Sequence, residues 1–341
     1  MRTKFTRAIC IVIICLLLPA VQGCKGKDQK IAFFLYSGND TFISELMDYT
    51  IANIPADILY DVRDAGNSQA VQNQQIVELI NGGYNLFVIN AVDRLASGAI
   101  VEKCKKEGVP VIFFNREPLE DALIGSNAYY VGAAADKLGE KQADMIAELF
   151  AGDFAGSQYD RNGDGVVQLV ILKGEQGHQD AEKRTENCVN RLRELGYQAE
   201  VLAIEVADWN RRNAYEAMKL LYEQYGERIE LVFANNDDMA LGATDYLTNA
   251  GVFSTKGPAY NQPFVIVGVD GTSVGLEAIE NGLIYGTVVN DFKKQSDAIL
   301  ALVDFSLGQK DFERFPYVIS NGHYIFVDGD IITQANIAEY K

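Results

Sequence analysis

The sequence predicts an α/β protein with two doubly wound domains, each built on a parallel sheet. Short apolar runs, typical of strands buried on both faces, alternate with helical patterns almost without interruption. Nine such strands overfill one sheet of ordinary size, and 341 residues, 48% of them hydrophobic, are enough for two cores. We therefore expect two sheets of five or six strands, divided near the small-residue stretch 131–136.

The elements follow from these patterns in chain order. The predicted strands are 30–36, 56–62, 85–90, 109–115, 166–173, 198–203, 230–235, 264–269 and 286–290. The predicted helices are 42–53, 70–80, 99–107, 138–150, 180–195, 213–222, 238–248, 273–280 and 291–307. In open α/β sheets, ligands bind outside the carboxyl ends of the strands. A cleft between the two sheets is therefore the expected ligand site.

The first 23 residues have the pattern of a signal peptide. Three basic residues precede an apolar run, 9–18, that is too short to span a bilayer comfortably. Gly23 then precedes Cys24, as in a bacterial lipobox, so Cys24 is predicted to carry a lipid and 24–28 to be a linker. The expected location is the extracytoplasmic face of the cell membrane. The alternative is an ordinary signal peptidase site with an incidental cysteine.

Charge and cysteine content argue against a nucleic-acid-binding protein and against a disulfide-stabilised one. A net charge of −17, without a basic stripe, makes nucleic acid a poor partner. Beyond the signal peptide and Cys24, only Cys104 and Cys188 remain. Both lie in predicted helices far apart in the sequence, so we expect two buried free thiols and no disulfide.

Planar, hydrogen-bonding side chains follow six of the predicted strands. These candidate site residues are Asp40, Asn115, His178, Asp180, Arg184, Asn236, Asp270 and Asn290. Each one alone is better explained as a helix cap or a turn former than as a ligand contact. Together they suit a ligand with many hydroxyls, because carboxylates accept, arginine donates and asparagine does both. No Gly-rich phosphate motif follows any strand.

Two aromatic residues complete the candidate site. Phe42 follows the polar loop after the first strand, and Trp209, the only tryptophan, stands between Asp208 and Asn210. The apolar face of a pyranose ring packs on aromatic rings. The alternative is that both aromatic side chains fill cores.

Three segments carry a resemblance to a known family. They are VIFFNREP at 111–118, LKGEQGHQDAEKRT at 172–185 and ANND at 234–237. In content and order they resemble the periplasmic galactose/glucose-binding protein family, over nearly the whole mature chain. Thr41 stands where that family usually has Asn, and Gln179 where it usually has Pro. These departures leave the hexose preference open.

The resemblance implies a fold and a function. The fold is the type I periplasmic binding protein fold, with 29–132 plus 292–318 in one domain and 133–291 plus 319–341 in the other. Three crossovers form the hinge, and the cleft closes on the sugar. The eight polar residues would contact D-glucose or D-galactose, with Phe42 and Trp209 on opposite faces of the ring. The protein would be a monomeric, non-enzymatic binding protein that delivers sugar to an ABC permease.

Residues 160–168 have the pattern of a calcium loop. Asp160, Asn162, Asp164 and Gln168 occupy positions 1, 3, 5 and 9, with Gly165 at the sharp turn. Val166 would contribute its carbonyl oxygen. Position 12 is Ile171, inside an apolar strand, so Glu230 is the candidate for the missing carboxylate, and the resemblance agrees. The alternative is an acidic turn without metal.

Other functions fit less well. A sugar-responsive repressor would need a basic helix-turn-helix head where the signal peptide stands. A glycosidase would need two facing carboxylates, such as Asp40 and Asp270, but neighbouring Arg, His and Asn would keep them ionised. The same fold could instead bind a pentose or a furanose signal. A role as a sensor that presents ligand to a chemotaxis receptor also remains open.

Overall fold

The computed structural model describes residues 29–254, 259–308 and 315–340. The predicted signal peptide, Cys24 and the rest of the linker 24–28 therefore lie outside the described residues. The strands are β1 (Gln29–Leu35), β2 (Ile58–Asp64), β3 (Leu86–Ile89), β4 (Val111–Phe114), β5 (Ala128–Ala133), β6 (Val167–Lys173), β7 (Ala199–Val206), β8 (Leu231–Ala234), β9 (Val265–Asp270), β10 (Gly286–Val289), β11 (Tyr324–Val327) and β12 (Ile331–Thr333).

Helices connect these strands. They are α1 (Thr41–Asn53), α2 (Gln69–Ile80), α3 (Ser97–Lys106), α4 (Glu120–Leu123), α5 (Ala135–Phe150), α6 (Gln179–Glu194), α7 (Arg211–Tyr225), α8 (Asp237–Asn249), α9 (Ser273–Glu280) and α10 (Phe292–Ser306). Single 3₁₀ turns lie at Arg94–Ala96, Gly226–Arg228 and Ile337–Tyr340.

Two six-stranded sheets share one strand order, and their parallel pairing confirms the predicted fold class. The first sheet has the order β11-β5-β4-β3-β1-β2, with every neighbouring pair parallel. The second has the order β12-β10-β9-β8-β6-β7, in which β12 alone runs antiparallel. Each sheet reverses its strand order beside its first strand, so each forms a topological switch point there.

The chain passes between the two sheets three times. It crosses between β5 and α5, between β10 and α10, and between β11 and β12. Helix α10 packs in the first domain, where Thr50 Oγ1 of α1 donates to Ser296 Oγ at 2.9 Å. The predicted boundary between 318 and 319 is wrong, because β11 pairs with β5 in the first sheet. The third crossover therefore lies at 328–330.

Three strands escaped the sequence prediction, namely β5, β11 and β12. The chain does pass from one domain to the other within the stretch 131–136, but Val131–Ala133 also closes β5, and α5 begins at Ala135. Strand β12 has three residues, too few for a pattern to emerge. β11 and β12 are edge strands, and pairing with a neighbouring strand in the sheet, β5 and β10 respectively, forms them, because local propensity alone is too weak.

Both sheets are covered by apolar side chains on both faces. In β1, Ile31 and Phe33 point to one core and Ala32 and Phe34 to another. Strand β6 divides its residues in the same way between two further cores. This explains why the strands appear in the sequence as continuous apolar runs. Cys104 and Cys188 are buried free thiols, as predicted. No helix in the described ranges is long and apolar enough to cross a membrane.

Candidate functional site

All ten predicted ligand-contacting residues line one cavity between the two sheets. This inner cavity is formed by Asp40, Phe42, Asn115, His178, Asp180, Arg184, Trp209, Asn236, Asp270 and Asn290, together with Tyr36 and Arg116. The two additional residues are outside the predicted set, although Tyr36 directly follows β1 and Arg116 lies two residues after β4. The parallel strands of both sheets bring their carboxyl ends to this cavity, as the topology requires.

In the first domain, Asp40 is both a helix cap and a cavity residue. Its Oδ1 accepts from the backbone N–H of Ile43 at 2.9 Å, and its Oδ2 accepts from the Tyr36 hydroxyl at 2.6 Å. Arg116 places its guanidinium 3.9 Å from the centre of the Tyr36 ring. Asn115 adopts a positive φ of 59° directly after β4. These contacts fix the polar side of the first domain's wall.

A buried ion pair forms the centre of the second domain's wall. Arg184 Nη2 lies 3.1 Å from Asp180 Oδ2, one turn earlier on α6, and Arg184 Nη1 lies 3.8 Å from Asp270 Oδ1. Arg184 also donates to the carbonyl of Asn235 at 2.8 Å. Burial raises the pKa of Asp180, and Arg184 opposes that rise. The guanidinium therefore favours ionised carboxylates, which accept hydrogen bonds.

The ion pair leaves hydrogen-bonding atoms without partners. Asp180 and Arg184 are each only 2% exposed. Asp180 Oδ1 and Arg184 Nε nevertheless have no hydrogen-bond partner in the described part of the chain. An acceptor and a donor buried side by side suit a hydroxyl, which donates to one and accepts from the other.

His178 is held as a neutral hydrogen-bond donor. Its Nδ1 accepts from the backbone N–H of Asp180 at 3.1 Å, so the ring proton belongs on Nε2. Burial and the nearby Arg116 and Arg184 hold the pKa of His178 well below its usual value. The ring also packs edge-on against Trp209, with centroids 5.0 Å apart.

Trp209 is positioned by its neighbours and is only partly buried. It adopts a positive φ of 63°, and the Arg184 guanidinium lies 5.8 Å from the centre of its ring. A Cβ on Gly174 would stand 2.3 Å from the indole, so only glycine fits beneath this ring. The indole therefore packs against the backbone after β6 on one side while it lines the cavity.

A chain of hydrogen bonds leads from Gln295 through Asn290 to Asp270 in the wall of the cavity. Gln295 donates to Asn290 Oδ1 at 2.5 Å, and Asn290 Nδ2 donates to Asp270 Oδ1 at 3.1 Å. Asn236 caps α8 by accepting from Met239 N–H at 3.0 Å. For Asp40, His178 and Asn236, the cap and cavity interpretations therefore both hold. Capping fixes each side chain at the point where a ligand would meet it.

Comparisons with known proteins decide the family. The profile of the periplasmic binding protein domain matches residues 31–310. The D-galactose/methyl-galactoside binding periplasmic protein MglB of Haemophilus influenzae is 35% identical over 305 residues, which are 88% of this chain and 88% of that protein. This chain belongs to the periplasmic binding protein family.

Other relatives of this periplasmic binding protein are named for different small polyols. The ribose import binding protein of Escherichia coli is 27% identical over 227 residues, 67% of each chain. A solute binding protein of Bacillus halodurans with bound myo-inositol superposes with a TM-score of 0.73 at 24% identity, covering 92% of this chain and 97% of that one. One from Actinobacillus succinogenes with bound D-allose gives 0.75 at 20% identity, covering 92% and 100%. These structures share the fold.

The two domains of this periplasmic binding protein touch at the rim of the inner cavity. Thr41 Oγ1 donates to Asp238 Oδ2 at 2.6 Å, and Ser273 Oγ donates to Glu45 Oε1 at 2.5 Å. Arg116 Nη2 lies 2.5 Å from Glu175 Oε2. The inner cavity has a volume of only about 20 Å³, enough for about one water molecule. A hexose can therefore be admitted only if the domains move apart.

The predicted calcium loop contains the chemistry that calcium prefers. Glu230 is fully buried, and its two carboxylate oxygens accept from the backbone N–H groups of Arg161 and Gln168 at 2.8 and 2.9 Å. Burial raises the pKa of Glu230, and Asp160 and Asp164 raise it further. Gly165 makes the sharp turn with φ +74°.

The donor set is one of oxygens only, which fits Ca²⁺. In the described ranges, no group of three His, Cys, Asp or Glu side chains lies close enough together to hold a metal ion without other ligands. The amide oxygens of Asn162 and Gln168 and the Val166 carbonyl would therefore have to contribute.

Proposed function

We propose that this protein is the substrate-binding component of an ABC sugar importer and that it binds D-glucose or D-galactose in the inner cavity. The observation that carries this proposal is the buried Asp180–Arg184 pair, with one acceptor and one donor left unpaired beside Trp209. A pyranose offers both a hydroxyl for such a pair and an apolar face for an indole.

The hexose assignment rests on the relative of highest identity reported above, which is named for galactose. A second candidate is another monosaccharide or cyclic polyol, since structural relatives hold D-allose and myo-inositol. Calorimetric titration with glucose, galactose, allose, ribose, arabinose and myo-inositol tests both. Binding of glucose or galactose at least about tenfold tighter than of the others supports the proposal, and a reversed order selects the second candidate.

Domain closure is the proposed working motion. The rim contacts Thr41–Asp238 and Ser273–Glu45 join the two domains and would form only as the cleft closes. The sugar-bound closed form would hold the walls of the inner cavity further apart than they are here, and sugar would favour that form by its differential affinity. The permease would recognise that closed form. Whether a chemotaxis receptor also binds it is to be tested.

We propose that the protein is not an enzyme. Burial raises the pKa of both Asp180 and Asp270, and Arg184, which lies against both carboxyl groups, opposes that rise and favours the ionised form that accepts hydrogen bonds from a sugar. Incubation with nitrophenyl glucosides and galactosides should release no nitrophenol, and steady turnover would overturn this statement.

The family is extracytoplasmic, and we propose that this member is held at the membrane by a lipid on Cys24 and acts as a monomer. Cys24→Ser should release the protein from the membrane fraction or block its processing. A wild-type protein that is wholly soluble and begins well beyond residue 24 would refute the anchor. We also propose a structural Ca²⁺ bound by the loop 160–168 and Glu230.

A further inference from the structure

A second cavity opens directly outside the inner one. This outer groove has a volume of about 460 Å³, within the range of ordinary ligand pockets. Its lining is Tyr36, Ser37, Asn39, Asp40, Asn67, Val92, Arg116, Glu175, Asp208, Trp209, Asn210 and Asn213. Both domains contribute, so the groove, like the inner cavity, exists only between them.

The wall between the two cavities is shared. Tyr36, Asp40, Arg116 and Trp209 line both of them. Arg116 is only 5% exposed and is held by Glu175 and by the carbonyl of Val92 at 2.7 Å. Its Nε nevertheless has no hydrogen-bond partner within the described residues. A buried hydrogen-bond donor such as Arg116 Nε is normally paired. Because Arg116 lies in the wall shared by the two cavities, the acceptor that fits is an oxygen of a molecule that extends into both of them.

The groove is polar, and its side chains without partners among the residues that the structure describes are three neutral amides and the carboxylate of Asp208. The side-chain amides of Asn39, Asn67 and Asn213 make no hydrogen bond within the described ranges. Asn67 and Asp208 adopt positive φ values of 63° and 51°, strained conformations that cluster at binding sites. The charged groups are three carboxylates, of Asp40, Glu175 and Asp208, against one guanidinium that is already paired. Phosphate or uronate groups would be repelled, whereas neutral hydroxyls would be bound.

We propose that the outer groove is a second subsite, which holds a second sugar ring of a neutral disaccharide while the first ring lies in the inner cavity. This inference rests on the proposed function and specifies its substrate class. The glycosidic oxygen, or a hydroxyl beside it, would lie at the shared wall and accept from Arg116 Nε. The protein would then import short neutral glycosides as well as free hexoses.

The test is calorimetry on the full mature chain with glucose, galactose, lactose, melibiose, cellobiose and maltose. We expect at least one disaccharide to bind one-to-one and to compete with the free hexose. Asn213→Trp, at an exposed position that lines only the outer groove, should weaken the disaccharide by about tenfold or more and leave the free hexose within about twofold. Lys219→Trp, also exposed on α7 but outside the groove, is the matched control and should change neither.

The outcomes separate the two proposals. If a free hexose binds but no disaccharide does, the second subsite is wrong and the proposed function stands. A disaccharide that binds equally well to wild type and to Asn213→Trp also refutes the subsite. If neither free hexoses nor disaccharides bind to a protein with a normal melting transition, the proposed function itself is overturned.

Discussion

The inner cavity and the calcium loop are both clusters of carboxylates and amides, one at each end of β6. They differ in whether a basic side chain neutralises the charge of their carboxylates. At the carboxyl end, the inner cavity faces its carboxylates with Arg184. At the amino end, no salt bridge among the described residues reaches Asp160, Asp164 or Glu230. A cluster with its own cation binds neutral hydroxyls, whereas one without a cation favours the binding of a metal ion.

The largest effect is expected from removing the cavity's cation. Arg184→Ala leaves the buried carboxylates of Asp180 and Asp270 without the cation that faces them, so sugar binding should weaken by about 2–4 kcal/mol. Arg184→Lys should also weaken it, because lysine lacks the fork geometry. Calorimetry measures both variants.

The control is Arg191→Ala on the same helix, where the side chain is half-buried and pairs with Asp144 at 2.7 Å. It should leave affinity unchanged. Near-normal glucose and galactose affinity in Arg184→Ala and Asp180→Ala would contradict the assignment of the inner cavity as the sugar-binding site.

Next in size is the effect of removing calcium. An ion that binds only the folded protein stabilises it by about 2.7 kcal/mol at one hundred times its Kd. Chelation should therefore lower the melting temperature while sugar affinity stays nearly constant, because the loop lies at the opposite end of β6 from His178. Glu230→Gln should reproduce the effect of the chelator.

The matched control is Glu227→Gln, whose side chain is 90% exposed a few residues earlier. If chelator changes nothing and elemental analysis finds no metal, the loop is an acidic turn.

A smaller effect is expected at the aromatic wall of the inner cavity. Trp209→Ala should weaken sugar binding by about 1–3 kcal/mol through lost apolar contact, and Trp209→Phe should recover part of it. Because Trp209 is the only tryptophan, saturating sugar should change the intrinsic fluorescence directly. A destabilised Trp209→Ala protein that binds sugar normally would show instead that the indole only packs against the core.

The smallest effect should come from the rim. Thr41→Val removes the hydroxyl that donates to Asp238 across the cleft, so the closed form should lose about 0.5–1.5 kcal/mol. Sugar should dissociate faster by the corresponding factor in stopped-flow fluorescence. Thr41→Ser keeps the hydroxyl and should behave as wild type. Equal dissociation rates in all three proteins would mean that this contact has no part in closure.

Much of the fold followed from local patterns, and the failures have a common cause. Strands β1 and β6 are buried on both faces, so each forms an apolar run that can be recognised alone. Strand β12 is an edge strand of three residues and β11 one of four. Their assignment depends on distant partners, β10 and β5, which no local pattern contains.

The site was predictable for a different reason. In parallel sheets the carboxyl ends converge, so a polar residue such as Asn115 or Asp270 after a strand is already placed at the cleft. Tyr36 and Arg116 also lie at strand ends, but their position alone does not distinguish a cavity residue from a residue that only packs beside it. Their stacking at 3.9 Å becomes visible only in three dimensions.

By itself, the sequence determined the two-domain α/β class, the candidate ligand residues and the calcium loop pattern, since strand period, turn residues and ligand spacing are local properties. The tertiary structure decided three further features: β11 belongs to the first sheet, Arg184 faces two carboxylates, and an outer groove adjoins the inner cavity. Each depends on residues far apart in the chain, whose contact is fixed by sheet pairing and by the meeting of two domains.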